Sequence, residues 1–220
     1  MGWLVNSYDF LCKGGPVMAP LIVSSIIAVA VLIERIVTIR RASSVDSEAL
    51  MEQIEKRLAR GEAKLALGQC ESAGGFVGTV LAAALRCRYL DPQAMERAMQ
   101  EAASRQTPEL HRRLSILDTI ITIAPLLGLL GTVTGMIRSF HVISTKQGMS
   151  APTAITGGVA EALIATATGL AIAIGTLIGY NYLNERVSRL VSDGEAKANH
   201  LLNIVSEMED GGHEVTVLSA

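Results

Sequence analysis

In the stretch Gly158 to Gly175, GVAEALIATATGLAIAIG, one carboxylate, Glu161, stands at the head of a run of small and oily residues. A charge at bilayer depth costs about 2.5–3.5 kcal/mol on insertion scales, so such a residue by default faces a protein interior or water and marks an ion path. The chemistry a carboxyl offers there is the binding and release of a proton. Its nearest basic residues along the chain are Lys146 and Arg186, both outside the adjoining helical turns, and the acid is expected to be unpaired. The plainer expectation is an acid that snorkels to the interface or hydrogen-bonds a neighbouring helix.

Ala165, Thr168 and Gly175 follow Glu161 at helical spacing and would make a narrow, weakly polar face. Thr166 lies about 140° round the helix and faces a different surface. Gly169 adds a further packing position, and Gly175 and Gly179 form a GxxxG pair suited to close helix approach. Upstream, IAPLLGLLGTVTGMI carries Pro125, which frees a backbone carbonyl. The same stretch has Gly128, Gly131 and Gly135, which allow close approach, and the hydroxyls of Thr132 and Thr134. Taken singly, each glycine or threonine is explained by tight packing. Together with a lone acid they suit a multi-subunit assembly around a polar core.

These residues need membrane-length helices to hold them. Half of the 220 residues are hydrophobic, only 4% are aromatic, and the mean hydropathy is +0.38, a membrane-class composition. Uncharged runs cover Gly14 to Ile33 (20 residues), Thr119 to Ile137 (19) and Ala162 to Asn184 (23). A helix needs about 20 apolar residues to cross a bilayer, so three spans are expected. The first is too long for a cleavable signal and is followed by Glu34-Arg35 rather than a small-residue site. FVGTVLAAAL, Phe76 to Leu85, is only 10 residues and suits a buried helix outside the membrane.

Arginines follow span one (Arg35, Arg40, Arg41), precede span two (Arg105, Arg112, Arg113) and follow span three (Arg186, Arg189). The short segment between spans two and three carries only Arg138 and Lys146. The positive-inside rule then puts the N-terminus and that short segment outside, and the long connection and the tail in the cytoplasm. Trp3, Tyr8 and Phe10 would lie at the outer interface and Tyr180 and Tyr182 at the inner one; Trp3, Leu4, Tyr8 and Leu11 recur at helical spacing, which fits either a short interfacial helix or, equally, a disordered start.

The long connection is helical in texture. Leu50, Ile54 and Leu58 recur in a segment from Asp46 to Ala59 that Gly61 can end. Asp91 as N-cap and Pro92 at the first helical position open another helix, with Leu90, Ala94, Met95, Ala98 and Met99 as its buried stripe. The tail after Glu207, MEDGGHEVTVLSA, has no helical period and is expected to be mobile.

The expected fold is all-α: a polytopic membrane protein whose three transmembrane helices lie at 14–34, 114–138 and 155–182. Two of them extend into a helical cytoplasmic domain at 35–113 and a C-terminal helix and tail at 183–220, with outer segments at 1–13 and 139–154.

APLLGLLGTVTGMIRSF (Ala124 to Phe140), GGVAEALIATATGLAIAIG (Gly157 to Gly175) and Tyr180-Asn181 resemble the MotA/TolQ/ExbB proton-channel family of bacterial inner-membrane motors. The first span and the charge layout are similar as well. Three spans rather than four, and the glutamate of EALIATA, look like the ExbB/TolQ branch. The resemblance implies a homopentamer around the transmembrane helices of an ExbD- or TolR-like single-span partner that carries the proton-binding aspartate. It also implies a polar lining of Thr132, Glu161 and Thr166. The function implied is conversion of proton motive force into work on the cell envelope, TonB-dependent transport for an ExbB-like unit, with a TonB-like protein as a further partner. Location in the bacterial inner membrane follows. One departure is AIGTL, with Gly175 where ExbB and TolQ sequences carry an AIPAV-type proline.

Other readings are a TolQ-like subunit, a gliding- or flagellar-type stator subunit, and a non-conducting membrane scaffold. An enzyme is not expected, for there is no Ser/His/Asp set and no phosphate loop. No cofactor or metal is expected either: Cys12, Cys70 and Cys87 show no CxxC spacing, and His111, His141, His200 and His213 are scattered. A net charge of −2 disfavours a nucleic-acid partner.

Overall fold

The computed structural model describes residues 14–43, 46–87, 92–145 and 151–217. The outer-interface helix with Trp3, Tyr8 and Phe10, the cap at Asp91, Leu90 and Lys146 lie outside the described residues. The elements are helices throughout: α1 (Met18–Ala42), α2 (Ser47–Ala59), α3 (Ala63–Ala73), α4 (Gly75–Arg86), α5 (Pro92–His111), α6 (Leu114–Thr145) and α7 (Ala151–Val217). Three helical stretches, carried by α1, α6 and α7, are long and apolar enough to cross a membrane, whereas α4 is apolar but short. The chain divides into two compact units, one of residues 1–34 and 113–182, the other of 35–112 and 183–220.

The first unit buries a set of alanines beside larger residues such as Leu21 and Leu117, and it leaves many large side chains exposed. Ala28 of α1, Ala124 of α6, and Ala162, Ala165 and Ala173 of α7 are buried, while Ile137, Phe140, Leu163, Ile174 and Ile178 stand at least 59% exposed. Water would not tolerate that pattern, but lipid is as apolar as leucine, so helices there associate by close backbone approach rather than by hiding large side chains. Glu34 on α1 pairs with Arg113, a residue with φ +66° in the break before α6.

The second unit follows the opposite rule. Asp46 caps α2, its side chain accepting from the backbone N–H of Glu48 and Ala49 at 3.2 and 3.1 Å. Gly61, with φ +73°, ends it. Its N–H donates to Leu58 O and that of Glu62 to Arg57 O, the paired bonds of a Schellman motif. Leu50, Ile54 and Leu58 are buried on α2, as are Met95 and Met99 on α5, with Ala94 and Ala98 partly covered. Gly74 and Gly75, both at positive φ, turn the chain from α3 into α4, whose Phe76, Val80 and Leu81 are buried.

On α7 the buried stripe Leu183, Val187, Leu190, Ala198, Leu201 and Val205 is spaced by three or four residues on either side of Gly194. Gly194 interrupts it where the Phe76 ring lies so close that a β-carbon would stand 2.5 Å from its edge.

One expectation is overturned here. α7 runs to Val217, through the tail that was expected to lack helical order. Adding residues to an existing helix avoids the cost of nucleation, so a segment with a weak pattern of its own can be carried on the end of a long one.

Candidate functional site

In the first unit α6 and α7 meet along a ladder of residues with little or no side chain. A β-carbon on Gly128 would stand 3.0 Å from Thr166 Cα, and one on Gly131 would stand 2.5 Å from Ala165 Cβ. At Gly135 it would lie 2.8 Å from Gly158 O and 3.0 Å from Ala162 Cβ, and at Gly169 it would overlap the carbonyl oxygen of Ala124. The two backbones therefore touch over about three turns, and each glycine is required by the other helix. Pro125 lies inside α6, where it removes the bond that the carbonyl of Ile121 would receive.

Glu161 sits where this seam meets the start of α1, and it is not unpaired. Arg138 of α6 donates from Nη1 to both carboxylate oxygens, at 2.8 Å to Oε1 and 3.0 Å to Oε2. The expectation of an unpaired acid failed because the partner is 23 residues away in sequence, reached across the helical hairpin rather than along one helix. The acid's side chain is 19% exposed and the arginine's 53%. Gly15, with φ +73°, lies against the carboxylate, and a β-carbon on it would overlap Oε1. The sequence did carry a signal: two antiparallel ladders of small residues fix which turns of α6 and α7 face one another, and Arg138 is the basic residue at that end.

Thr166 is turned toward α6, its hydroxyl 3.0 Å from Gly128 O and 3.2 Å from Ala162 O. It shares no hydrogen bond with Glu161. Thr132, half-exposed on α6, donates to Leu129 O of its own helix at 2.7 Å, and Thr134 bonds Leu130 O and Gly131 O. So Thr132, Glu161 and Thr166 belong to one helical hairpin but make no common hydrogen-bond network.

Of the face drawn from Glu161, Ala165 is buried against Gly131, Thr168 bonds Ile164 O at 2.8 Å, and Gly175 meets nothing within 4 Å. Gly179 admits Leu32 of α1. Among the described residues no group of three or more His, Cys, Asp or Glu side chains could hold a metal ion.

This arrangement places a carboxylate, balanced by a guanidinium, at one end of a tightly packed membrane-length hairpin with hydroxyls further along. It can hold charge and hydrogen bonds within an apolar stretch; it lacks a nucleophile and its base.

Comparison with known proteins agrees with that chemistry. Residues 73–196 match the model of the MotA/TolQ/ExbB proton channel family. The chain is 34% identical over 178 residues to the putative biopolymer transport protein ExbB-like 1 of Synechocystis sp., covering 80% of this chain and 69% of that protein. It is 38% identical over 109 residues to the biopolymer transport protein ExbB of Aquifex aeolicus, covering 50% and 73%. With the Tol-Pal system protein TolQ of Pseudomonas aeruginosa it shares 41% identity over 106 residues, 46% of each chain.

Proposed function

The chain belongs to the MotA/TolQ/ExbB proton channel family, and from that premise we propose that it is an ExbB-like subunit of an inner-membrane motor driven by proton motive force. Five copies form a ring around an ExbD- or TolR-like single-span partner. Protons pass between the ring and the partner's aspartate, and the partner's outer portion works on the envelope, through a TonB-like protein in TonB-dependent transport. The residues before α1 and the α6–α7 connection face the periplasm, and the second unit faces the cytoplasm, as the arginine distribution favours.

The observation that carries this reading is Glu161, a carboxylate within a membrane-length helix, held in a fixed place on a seam of glycines. Thr132 and Thr166 supply hydroxyls further along the path, each able to give and accept a hydrogen bond. Relatives named ExbB-like align over 80% and 76% of the chain, which favours the ExbB branch. The TolQ-like reading has its own support in the higher identity over a shorter stretch.

The test is complementation. The chain and its single-span partner are expressed in cells lacking their own ExbB and ExbD, or lacking TolQ and TolR. Restored TonB-dependent uptake supports the ExbB reading, and restored detergent resistance alone supports the TolQ reading. In the restored system Glu161→Ala and Glu161→Gln are expected to abolish work while native mass spectrometry still finds the complex. An assembled Glu161→Ala complex with full work would remove Glu161 from the proton machinery.

A further inference from the structure

The placement of Arg138 against Glu161 is specific. Its Nη1 reaches both oxygens of one carboxylate, so the contact fixes the orientation of the carboxyl plane as well as its distance. Just ahead of α1 the approach is made by Gly15, at φ +73°, where any β-carbon would take the space that Oε1 occupies. The carboxylate is thus confined between a guanidinium from α6 and bare backbone at the head of α1. Removing one member of a charge pair leaves the other charge uncompensated in an apolar setting, which costs more than removing both.

We propose that Arg138 is the positioning residue of the proton site: it holds the Glu161 carboxylate in its working orientation over Gly15 and acts through that contact alone. This inference rests on the reading of Glu161 given above. It also makes a distinction about chemistry. Because one nitrogen serves both oxygens, the requirement is for a cationic donor and not for the two-pronged fork of a guanidinium. A lysine ammonium meets that requirement.

The test measures partner-dependent proton-driven work and assembly for six variants in the full complex. Arg138→Gln is expected to lower work roughly tenfold or more, the scale of a lost charge-assisted hydrogen bond. Arg138→Lys should retain most of the work, a rescue that bulk packing would not produce. Gly15→Ala should lower work as Arg138→Gln does, by displacing the carboxylate.

The double variant Arg138→Gln/Glu161→Gln leaves no unpaired charge and keeps the test open should Arg138→Gln alone fail to assemble. It is expected to assemble as well as Glu161→Gln does. Full work in an assembled Arg138→Gln complex, with Glu161→Gln inactive, overturns the positioning role and leaves the proposed function standing. A double variant that assembles much less well than Glu161→Gln also overturns it, because Arg138 would then act elsewhere. Full work in Glu161→Gln and Glu161→Ala would instead strike at the proposed function itself.

Discussion

A hydroxyl has one proton to donate, and Thr166 has two backbone carbonyls in reach, Gly128 O across the seam and Ala162 O in its own helix. Interhelical bonds of this kind contribute about 0.6 kcal/mol on average in membrane proteins. Thr166→Val is therefore expected to lower the unfolding midpoint of the detergent-solubilised complex slightly, and Thr166→Ser to leave it unchanged. A valine variant that unfolds like the parent but loses proton-driven work would move the hydroxyl from seam to path.

Cysteine makes the same contrast of burial and chemistry. Burial pushes the Cys70 thiol up to about 11, while Cys87 is only half-buried. A thiol with a raised folded-state value stabilises the fold at neutral pH, and that stabilisation is lost as pH rises from about 9 toward 11. At pH 8 maleimide should label Cys87 and spare Cys70 until the chain is denatured. Equal labelling rates would contradict the packing of α3. Residue types at the site were readable from the sequence, whereas the Arg138 contact was not, because pairing within one helix is a question of spacing and pairing between helices is a question of register.

Register is decided at the scale of the helix, and there two glycines of α7 that look alike in sequence part company. Gly169 lies under the carbonyl of Ala124, whereas Gly175 meets nothing within 4 Å in its own chain. Gly169→Ala must push α6 and α7 apart, an overpacking cost of about 1–3 kcal/mol. Gly175→Ala removes backbone freedom without a clash and should stabilise the helix by about 0.5–1 kcal/mol.

Thermal unfolding of the two variants checks both signs. Loss of oligomer in Gly175→Ala would show that this glycine packs against another subunit. A GxxxG spacing marks where close approach is possible without saying which glycine uses it, and so Gly169, Gly175 and Gly179 could not be ranked from spacing. Helix starts and stops were more legible, because Asp46 and Gly61 act through bonds to the backbone beside them. The tail after Glu207 was misread for the converse reason: its helix is inherited from the long part of α7 that precedes it, from Ala151 onward.

Across the whole molecule, two packing rules operate in one chain. In the first unit alanines share the interior with Leu21 and Leu117 while Ile137, Phe140 and Ile178 are outside; in the second Phe76, Ile54 and Leu201 are inside. The change of rule marks where the solvent changes from lipid to water, and uncharged runs of 19 to 23 residues made the spans readable without any contact information. Which side of the membrane each unit occupies depends on the arginines, since moving many of them across a bilayer is the costly alternative.

That orientation predicts a labelling pattern. After Cys12→Ser and Cys87→Ser, a membrane-impermeant maleimide added to intact spheroplasts should modify Gln147→Cys in the α6–α7 connection. It should not modify Lys56→Cys, at a position on α2 whose native side chain is 62% exposed, until the cells are opened. The reverse pattern would invert the protein and place Glu161 and Arg138 at the cytoplasmic end of the hairpin. Protons would then meet that pair last rather than first, and the order of events along the path would have to be rewritten.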